Sequence, residues 1–193
     1  MQSLSSFIKS RTAPFSVAGT FSKKLLIFDV DDTLIHTTAN IWVMKKGKHI
    51  KTLSNSEYND YVLGPGEEFD YREFEDPKIL FKEAFTRYWD TLKREYQRGT
   101  HISILTARGN GDMIRKFFLS KGIDIKPALV FAVGDPRLGL TGSIQQRKAE
   151  VIAHITKLGY NTLVFFDDNE GNLKAAKDME KKLNNIKIHT VKA

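Results

Sequence analysis

The sequence predicts an α/β fold, a Rossmann-like three-layer sandwich with a mostly parallel five-stranded sheet and a small insertion after the first strand. Three observations support this prediction. Short apolar runs alternate with amphipathic segments of helical length, the links between them are short, and 41% of the 193 residues are hydrophobic, enough for one core. Strand–helix alternation of this kind gives a parallel sheet with helices on its faces.

The first half of the chain supplies the first strand and the insertion. Residues 23–30 are a short apolar run without a helical period, which is typical of a buried strand. Residues 41–53 predict two short strands around a Lys46-Gly47-Lys48 turn. An acidic loop follows, and Pro77 then occupies the first turn of a helix that is predicted to end near Gly99.

The second half alternates regularly between strands and helices. Asp112 and Ser143 are predicted to cap helices, because their side chains can accept hydrogen bonds from the free N–H groups of a first turn. Gly122 and Gly159 are predicted to end them. The predicted strands cover 101–106, 128–133, 162–166 and 186–191, and the predicted helices cover 112–121, 143–158 and 169–183.

The composition excludes several classes of protein. The chain has no cysteine, so disulfides and thiolate metal sites are excluded. No apolar run reaches the ~18 residues of a membrane span, and we expect no membrane partner. The lack of cysteine suits a reducing compartment, so we expect a cytoplasmic protein.

The net charge of +7 is concentrated at the two ends of the chain. Residues 1–28 contain four basic residues and no acid, and residues 174–193 contain six lysines and two acids. Basic segments of this kind can bind nucleic acid or an acidic partner, or they can be a solvated arm and a solvated helix face. Residues 1–22 are predicted to form a basic, serine-rich arm before a core over 23–193, and their composition also fits an organelle transit peptide.

Polar side chains follow the predicted strands at the points where they end. The first strand ends at Asp29, Asp31 and Thr33, and the second at Thr106 and Arg108. The third and fourth strands end at Gly134, Asp135 and Arg137 and at Asp167, Asp168, Asn169 and Asn172. Because ligands of parallel sheets bind at the carboxyl ends of the strands, these groups predict one site for a hard cation and an anion.

The residue types at this edge are those that phosphoryl transfer requires. Oxygen donors without cysteine favour Mg²⁺. A carboxylate beside the cation can attack phosphorus, and a second acid two positions later can protonate the leaving oxygen and then activate water. A hydroxyl and a basic side chain are needed for the remaining phosphoryl oxygens.

Four segments resemble the motifs of the haloacid dehalogenase-like phosphohydrolases, in the same order. Asp29-Val30-Asp31-Asp32-Thr33 matches their DxDxT signature, and Ile104-Leu105-Thr106 is similar to their second motif. Lys148 resembles the lysine of the third motif, and Phe165-Phe166-Asp167-Asp168 resembles the fourth. The resemblance covers residues 23–191.

This resemblance implies a role for each matching residue. Asp29 would be the nucleophile and Asp31 the general acid and base. Thr106 would bind the phosphoryl oxygens, and Lys148, with Arg147 as the weaker alternative, would hold the nucleophile and the phosphate. Substrate-binding residues would be Thr33, Thr106, Ala107 and Arg108.

The resemblance also implies the metal ligands. Mg²⁺ would be bound by Asp29, by the backbone carbonyl of Asp31 and by Asp168, while Asp167 could exchange roles with Asp168. Asn172 stands where many members have a further acid, so water or an amide could complete the coordination there.

The expected substrate follows from the insertion. Members of the family usually select substrates with a cap inserted between the first two motifs, and here that insertion is small, about 36–76, with a β-hairpin flap. The turn over 105–109 and the small cap are similar to the phosphatase half of polynucleotide kinases, which removes 3′-phosphates from nucleic acid ends. No GxxxxGK[ST] loop occurs in the 193 residues, so no kinase half is expected.

Two alternatives stay open. The same site could act as a 5′-nucleotidase on small nucleotide monophosphates, or the chain could be a binding module that uses its basic termini. Trp42 and the ribbon over 41–53 could be a stacking platform for a base or a packed hairpin.

Overall fold

The computed structural model describes residues 23–193, so the predicted arm over 1–22 lies outside the described residues. The chain divides into two compact units. The core unit contains residues 23–35 together with Phe85–Ala193, and the insert unit is His36–Ala84.

The elements are numbered in chain order. The strands are β1 (Lys24–Phe28), β2 (Ile35–His36), β3 (Ile41–Lys45), β4 (Lys48–Leu53), β5 (Glu67–Asp70), β6 (Ala84–Phe85), β7 (His101–Thr106), β8 (Val130–Ala132), β9 (Thr162–Asp167) and β10 (Lys187–Lys192). The α-helices are α1 (Asn55–Asp60), α2 (Pro77–Leu80), α3 (Arg87–Gln97), α4 (Gly111–Ser120), α5 (Ile144–Thr156) and α6 (Glu170–Glu180). Short 3₁₀ turns cover Arg72–Glu75, Pro127–Leu129 and Pro136–Leu138.

The core unit is built on a five-stranded sheet in the order β10-β9-β1-β7-β8. Every pairing in it is parallel, which confirms the predicted α/β class and is consistent with a Rossmann-like sandwich. The central strand β1 is buried from Leu25 to Phe28, and its last residue is level with Ile104 of β7 and Phe166 of β9. These strands therefore end together at one edge.

Aromatic side chains pack neighbouring helices against each other. Trp89 of α3 stacks on Phe118 of α4, and its ring also contacts Phe117. Helices α5 and α6 pack against each other. Within residues 23–193, no helix has the length and apolar character needed to cross a membrane.

The strand order places a crevice between β1 and β9. From β1 the chain proceeds to β7 and β8 on one side, whereas β9 and β10 lie on the other side of β1. Connections that diverge in this way leave a gap at the carboxyl ends of the two strands where the direction changes, and ligands of α/β sheets bind there. Asp29 and Asp167 come from these two strands.

The insert unit is a three-stranded antiparallel sheet, β4-β3-β5, with helix α1. The predicted hairpin over 41–53 is confirmed as β3 and β4. The strand β5 was predicted as part of an acidic loop, because only Phe69 of its four residues is apolar. Phe69 pairs with Val43 in register. The core of this unit consists of Ile41, Val43 and Leu53 with Tyr58, Tyr61, Phe69 and Phe74 packed against them.

The single helix predicted from Pro77 to about Gly99 is wrong. The chain instead forms α2, the short strand β6, and then α3, whose N-terminal cap is Thr86. The backbone is extended at Thr86, with φ of −83° and ψ of 173°, and the Thr86 N–H donates to the Leu34 carbonyl at 3.0 Å. A residue in this conformation cannot lie inside a helix, so α3 begins at Arg87.

The predicted caps are partly confirmed. Ser143 caps α5 and forms a capping box with Gln146, which occupies the third helical position, where this motif has Glu or Gln. Helix α4 is capped by Asn110 rather than Asp112, because the Asn110 side chain accepts a hydrogen bond from the Met113 N–H.

Candidate active site

Asp29 lies directly after β1 and is 5% exposed. Its backbone N–H donates to the Phe166 carbonyl at 3.0 Å, which joins the ends of β1 and β9. The chain then turns sharply, with the N–H groups of Leu34 and Ile35 donating to the Val30 carbonyl and Asp32 at a φ of 55°. An apolar strand that ends in this turn holds the Asp29 carboxylate in the buried crevice.

Lys148 extends from the first turns of α5 and is 2% exposed. Its Nζ donates to Oδ1 of Asp29 at 2.8 Å and to Oδ2 of Asp167 at 2.8 Å. One buried ammonium therefore bridges carboxylates that are 138 positions apart in the sequence. The resemblance predicted this residue, whereas Arg147 donates to the backbone carbonyls of Gly142 and Val133.

Asp167 is fully buried and accepts hydrogen bonds on both of its oxygens. Besides Lys148, its partners are the Asn169 N–H at 2.8 Å and the Nδ2 group of Asn172 at 2.9 and 3.0 Å. The sequence predicts Asn172 at this strand end, in place of an acid, but it does not predict the contact with Asp167. Its position five residues after Asp167, one turn into α6, is the signal that could have indicated this contact.

Asp168 completes a cluster of three carboxylates. Asp29, Asp167 and Asp168 each offer an oxygen, and these oxygens lie within 4.8 Å of one another. Within residues 23–193, the ion pairs of Asp29 and Asp167 are both formed with the Lys148 ammonium. Three carboxylates around one ammonium leave an excess of negative charge that a divalent cation would neutralise.

Burial and charge shift the pKa values in this cluster. Burial raises the pKa of Asp29 well above its usual range, with Lys148 acting in the opposite direction and Asp167 in the same one. Burial, with the charges of Asp167 and Asp32, raises the pKa of Asp168 to about 6. Burial opposes the charge of Lys148, but the carboxylates of Asp29 and Asp167 outweigh it and raise its pKa. The ammonium is therefore charged at neutral pH.

Asp31 and Arg108 form a separate ion pair. The Arg108 side chain is fully buried, and its Nε and Nη2 donate to Oδ2 and Oδ1 of Asp31 at 2.9 and 2.7 Å. The Asp31 carboxylate is thus outside the three-carboxylate cluster. Its predicted contribution to a metal site, through the backbone carbonyl, stays a prediction.

The two threonines are buried and connect loops. The Thr33 hydroxyl accepts a hydrogen bond from the Asp168 N–H at 3.0 Å, and the Thr106 hydroxyl accepts one from the Arg108 N–H at 3.2 Å. Both therefore fix the backbone that carries charged site residues. Their predicted contacts with a substrate, like that of the exposed Ala107, stay predictions.

Gly134 is a site residue whose importance the sequence did not show. Its N–H donates to the Arg108 carbonyl at 3.1 Å, and a Cβ at this position would lie 2.4 Å from the Ala107 carbonyl oxygen. Only glycine allows the loop after β8 to approach the loop after β7 this closely.

The residues at the crevice fit a hard divalent cation. Their donor atoms are carboxylate oxygens, which Mg²⁺ prefers. In addition, Oδ1 of the buried Asn172 has no hydrogen-bond partner among residues 23–193, so one more oxygen beside Asp167 is left for water or an ion. Asp29 and Asp168 are the best candidates for ligands, since Asp167 is already held by three hydrogen-bond donors.

Comparison with known proteins gave no assignment: no family model matches the chain, and no curated protein or solved structure matches it. Membership of the haloacid dehalogenase-like family therefore stays a prediction from the four motifs.

Proposed function

We propose that this protein is a Mg²⁺-dependent phosphomonoesterase that works through an aspartyl-phosphate on Asp29. The observation that carries the proposal is the buried Lys148, which bridges Asp29 and Asp167 beside a third carboxylate, Asp168. This arrangement supplies a fixed nucleophile, a cation for phosphoryl oxygens and donors for Mg²⁺. All three parts lie at the topological switch point of the sheet.

Asp29 has the role of nucleophile. One of its carboxylate oxygens forms a bond to phosphorus while the ester P–O bond breaks and the leaving oxygen takes up a proton. Water then attacks phosphorus, the bond to Asp29 breaks, and inorganic phosphate is released. Lys148 opposes the effect of burial on the pKa of Asp29 and fixes the orientation of its carboxylate through Oδ1.

Mg²⁺ would be held by Asp29, Asp168 and the backbone carbonyl of Asp31. When bound, it supplies positive charge that neutralises the phosphoryl oxygens. The raised pKa values of Asp29 and Asp168 support this assignment, because they result from burial and from neighbouring carboxylates, and a bound cation would offset both effects.

Asp31 has the role of general acid and base. In the structure its carboxylate is occupied by Arg108, and a carboxylate that accepts two charged hydrogen bonds is a poor proton donor. We therefore expect the ion pair to open when substrate binds. The released guanidinium can then bind the substrate phosphate with the Thr106 hydroxyl, which agrees with the roles implied by the motifs.

The first-choice substrate is a nucleic acid 3′-phosphate. Support comes from the net charge of +7 and from the Leu105-Thr106-Ala107-Arg108-Gly109 turn, which is similar to that of polynucleotide 3′-phosphatases. The insert unit His36–Ala84 lies between the first two motifs, where this family has its cap, and we propose that it is a small cap with β3 and β4 as a hairpin flap.

The test is phosphate release from a 3′-phosphorylated oligonucleotide with Mg²⁺. We expect turnover by wild type, loss of turnover in Asp29→Asn, and turnover near wild type in Asp32→Asn. The last variant is the matched control, since asparagine tolerates the left-handed backbone of Asp32 and removes an acid from the same turn. Equal rates for Asp29→Asn and wild type would contradict the assigned nucleophile.

A panel of free nucleotides separates the alternatives. A kcat/KM that is much higher for nucleoside monophosphates than for the oligonucleotide would replace the 3′-phosphatase by a 5′-nucleotidase that uses the same residues. No turnover of any phosphomonoester with intact oligonucleotide binding would favour a binding module.

A further inference from the structure

The β3–β4 hairpin of the insert unit has a concentrated positive charge. Residues 45–52, which we name the basic hairpin, contain Lys45, Lys46, Lys48 and Lys51, and no acid occurs between positions 37 and 56. All eight of these residues are exposed. Outside the basic hairpin, the insert unit has nine acids against Arg72, Lys78 and Lys82, so the positive charge of the unit is concentrated in the hairpin.

The turn of the basic hairpin fixes the positions of its lysines. Lys45 pairs with Lys48 across the strands, and the two residues between them, Lys46 and Gly47, have φ angles of 50° and 72°. Left-handed conformations at both central positions are those of a type I′ turn, whose twist matches that of a hairpin. The lysines are therefore presented by a defined turn and not by an irregular loop.

Aromatic side chains lie beside these charges on one face of the sheet. The rings of Trp42 and His49 are 4.9 Å apart, and the guanidinium of Arg72 lies 4.5 Å from the Trp42 ring centre. The Trp42 indole N–H donates to Glu73 at 2.7 Å, which fixes the ring. His49 is exposed, its ring is tilted by 51° from the indole, and its Nε2 lies 3.0 Å from the Thr52 hydroxyl.

We propose that the basic hairpin binds single-stranded nucleic acid, with its lysines on phosphates and His49 stacked against a base. Grooves for single strands combine positive charge along the backbone with aromatic faces on which bases stack. That the bound strand is also a substrate rests on the proposed function.

The arrangement favours nucleic acid over other polyanions. An acidic protein or an anionic membrane would use the lysines, but it would have no need of an exposed imidazole next to a fixed indole and guanidinium. Stacking on aromatic rings is worth about 1–3 kcal/mol per base, about a 5- to 150-fold change in affinity. The contribution of His49 therefore distinguishes these partners.

The experiment measures binding of a fluorescent single-stranded oligonucleotide without a terminal phosphate, by anisotropy, with the full chain and a chelator. Kd is recorded over a range of salt concentrations. In Lys46→Ala/Lys48→Ala we expect a Kd at least tenfold weaker and a salt slope reduced by about 1.4, since each phosphate contact to a single strand contributes about 0.7. The matched control is Lys78→Ala/Lys82→Ala, which removes two exposed lysines of the same unit outside the hairpin.

His49 is tested with two variants. We expect His49→Ala to weaken binding about fivefold or more, and His49→Phe to restore it, because an aromatic face is kept. Equal Kd and slope for the two double-lysine variants would overturn the proposal. A second result would also overturn it: Lys46→Ala/Lys48→Ala weakens binding of heparin or anionic vesicles as much as binding of the oligonucleotide, and His49→Ala has no effect. That result would describe a general polyanion surface.

Failure of this inference and failure of the proposed function give different results. Asp29 lies outside the basic hairpin, so Asp29→Asn should lose turnover of a small aryl phosphate and keep the wild-type Kd for the oligonucleotide. Binding that depends on the hairpin without any phosphatase activity would leave the surface established and reject the enzyme. Phosphatase activity without hairpin-dependent binding would support the enzyme and reject the nucleic-acid surface.

Discussion

Arg108 and Asp31 form a bidentate ion pair in which the guanidinium is fully buried and the carboxylate is 15% exposed. The two residues are 77 positions apart and belong to the loops after neighbouring strands of the sheet. Asp31 stands two positions after Asp29, the predicted nucleophile. The pair couples the predicted acid and base to a residue predicted to bind phosphate.

Replacement of Arg108 by Met should therefore reduce both stability and turnover. Removal of one partner leaves a largely buried carboxylate without its cation, and we expect a loss of about 2–4 kcal/mol in the free energy of unfolding. Chemical denaturation measures this loss. The double variant Arg108→Met/Asp31→Asn should recover part of it, because no unpaired charge remains. A double variant that loses the sum of the two single effects would show that the pair does not interact.

Replacement of Lys148 by Met should be more severe. It removes the ammonium that holds Asp29 and Asp167, so two buried carboxylates lose their shared partner. We expect a loss of about 3–5 kcal/mol in unfolding free energy with a chelator present, and activity below about one-thousandth of wild type. The control is Lys116→Met on the exposed face of α4, which should change neither quantity appreciably. Normal stability and turnover in Lys148→Met would contradict the role of this residue.

The sequence was sufficient to predict the parts of the site that depend on strand ends. Asp29, Thr106 and Asp167 each follow an apolar run, so their common location followed from the parallel order. The sequence could not show which of Asp167 and Asp168 contacts Lys148, because adjacent residues at a strand end point in different directions and the turn selects between them. In the structure Asp167 accepts from Lys148 and Asn172, while Asp168 donates its N–H to Thr33.

Long-range pairs and small strands were the features that the sequence did not show. Nothing local indicates that Arg108 meets Asp31, since their contact depends on the register of β1 with β7. Strand β5 has one apolar residue and β6 is only two residues long, so neither gives a periodic signal, and their pairing partners define them instead. The helix predicted over 77–98 had a regular apolar period, yet that period could not show the capping residue Thr86 within it.

Mg²⁺ should stabilise the wild-type protein and leave Asp168→Asn unaffected. A ligand that binds only the folded state at about ten times its Kd contributes about 1.4 kcal/mol, which for a chain of this size raises the Tm by about 3–5 °C. Differential scanning fluorimetry with a Mg²⁺ titration measures the shift. An equal shift in Asp168→Asn would mean that the cation binds elsewhere.

The stability of the metal-free protein should depend on the ionisation of Asp168. Its pKa is raised to about 6 in the folded state, so the folded protein holds this proton more tightly than the unfolded chain does. The ionised carboxylate consequently destabilises the fold. This penalty is absent below the unfolded pKa of about 4, develops as pH rises, and is complete above about pH 6. In a chelator, Asp168→Asn should therefore gain stability relative to wild type as pH rises from about 4 to 7. A difference that is constant over this range would show that burial does not shift this group.

Gly134 provides a test of the loop geometry that does not alter any charge. A methyl group there would lie 2.4 Å from the Ala107 carbonyl oxygen and about as close to the Arg108 backbone as contacts allow. Because this neighbour is backbone, Gly134→Ala must displace the turn that carries Arg108, and we expect a loss of about 1–3 kcal/mol in unfolding free energy and a fall in kcat.

Gly111→Ala is the matched control. Gly111 is the first residue of α4, and a methyl group there would make an ordinary 3.6 Å contact with the Ala132 side chain. There alanine favours the helix, so stability should be unchanged or slightly higher. Similar effects of the two substitutions on kcat would show that the separation between the loops after β7 and β8 does not govern the position of Arg108.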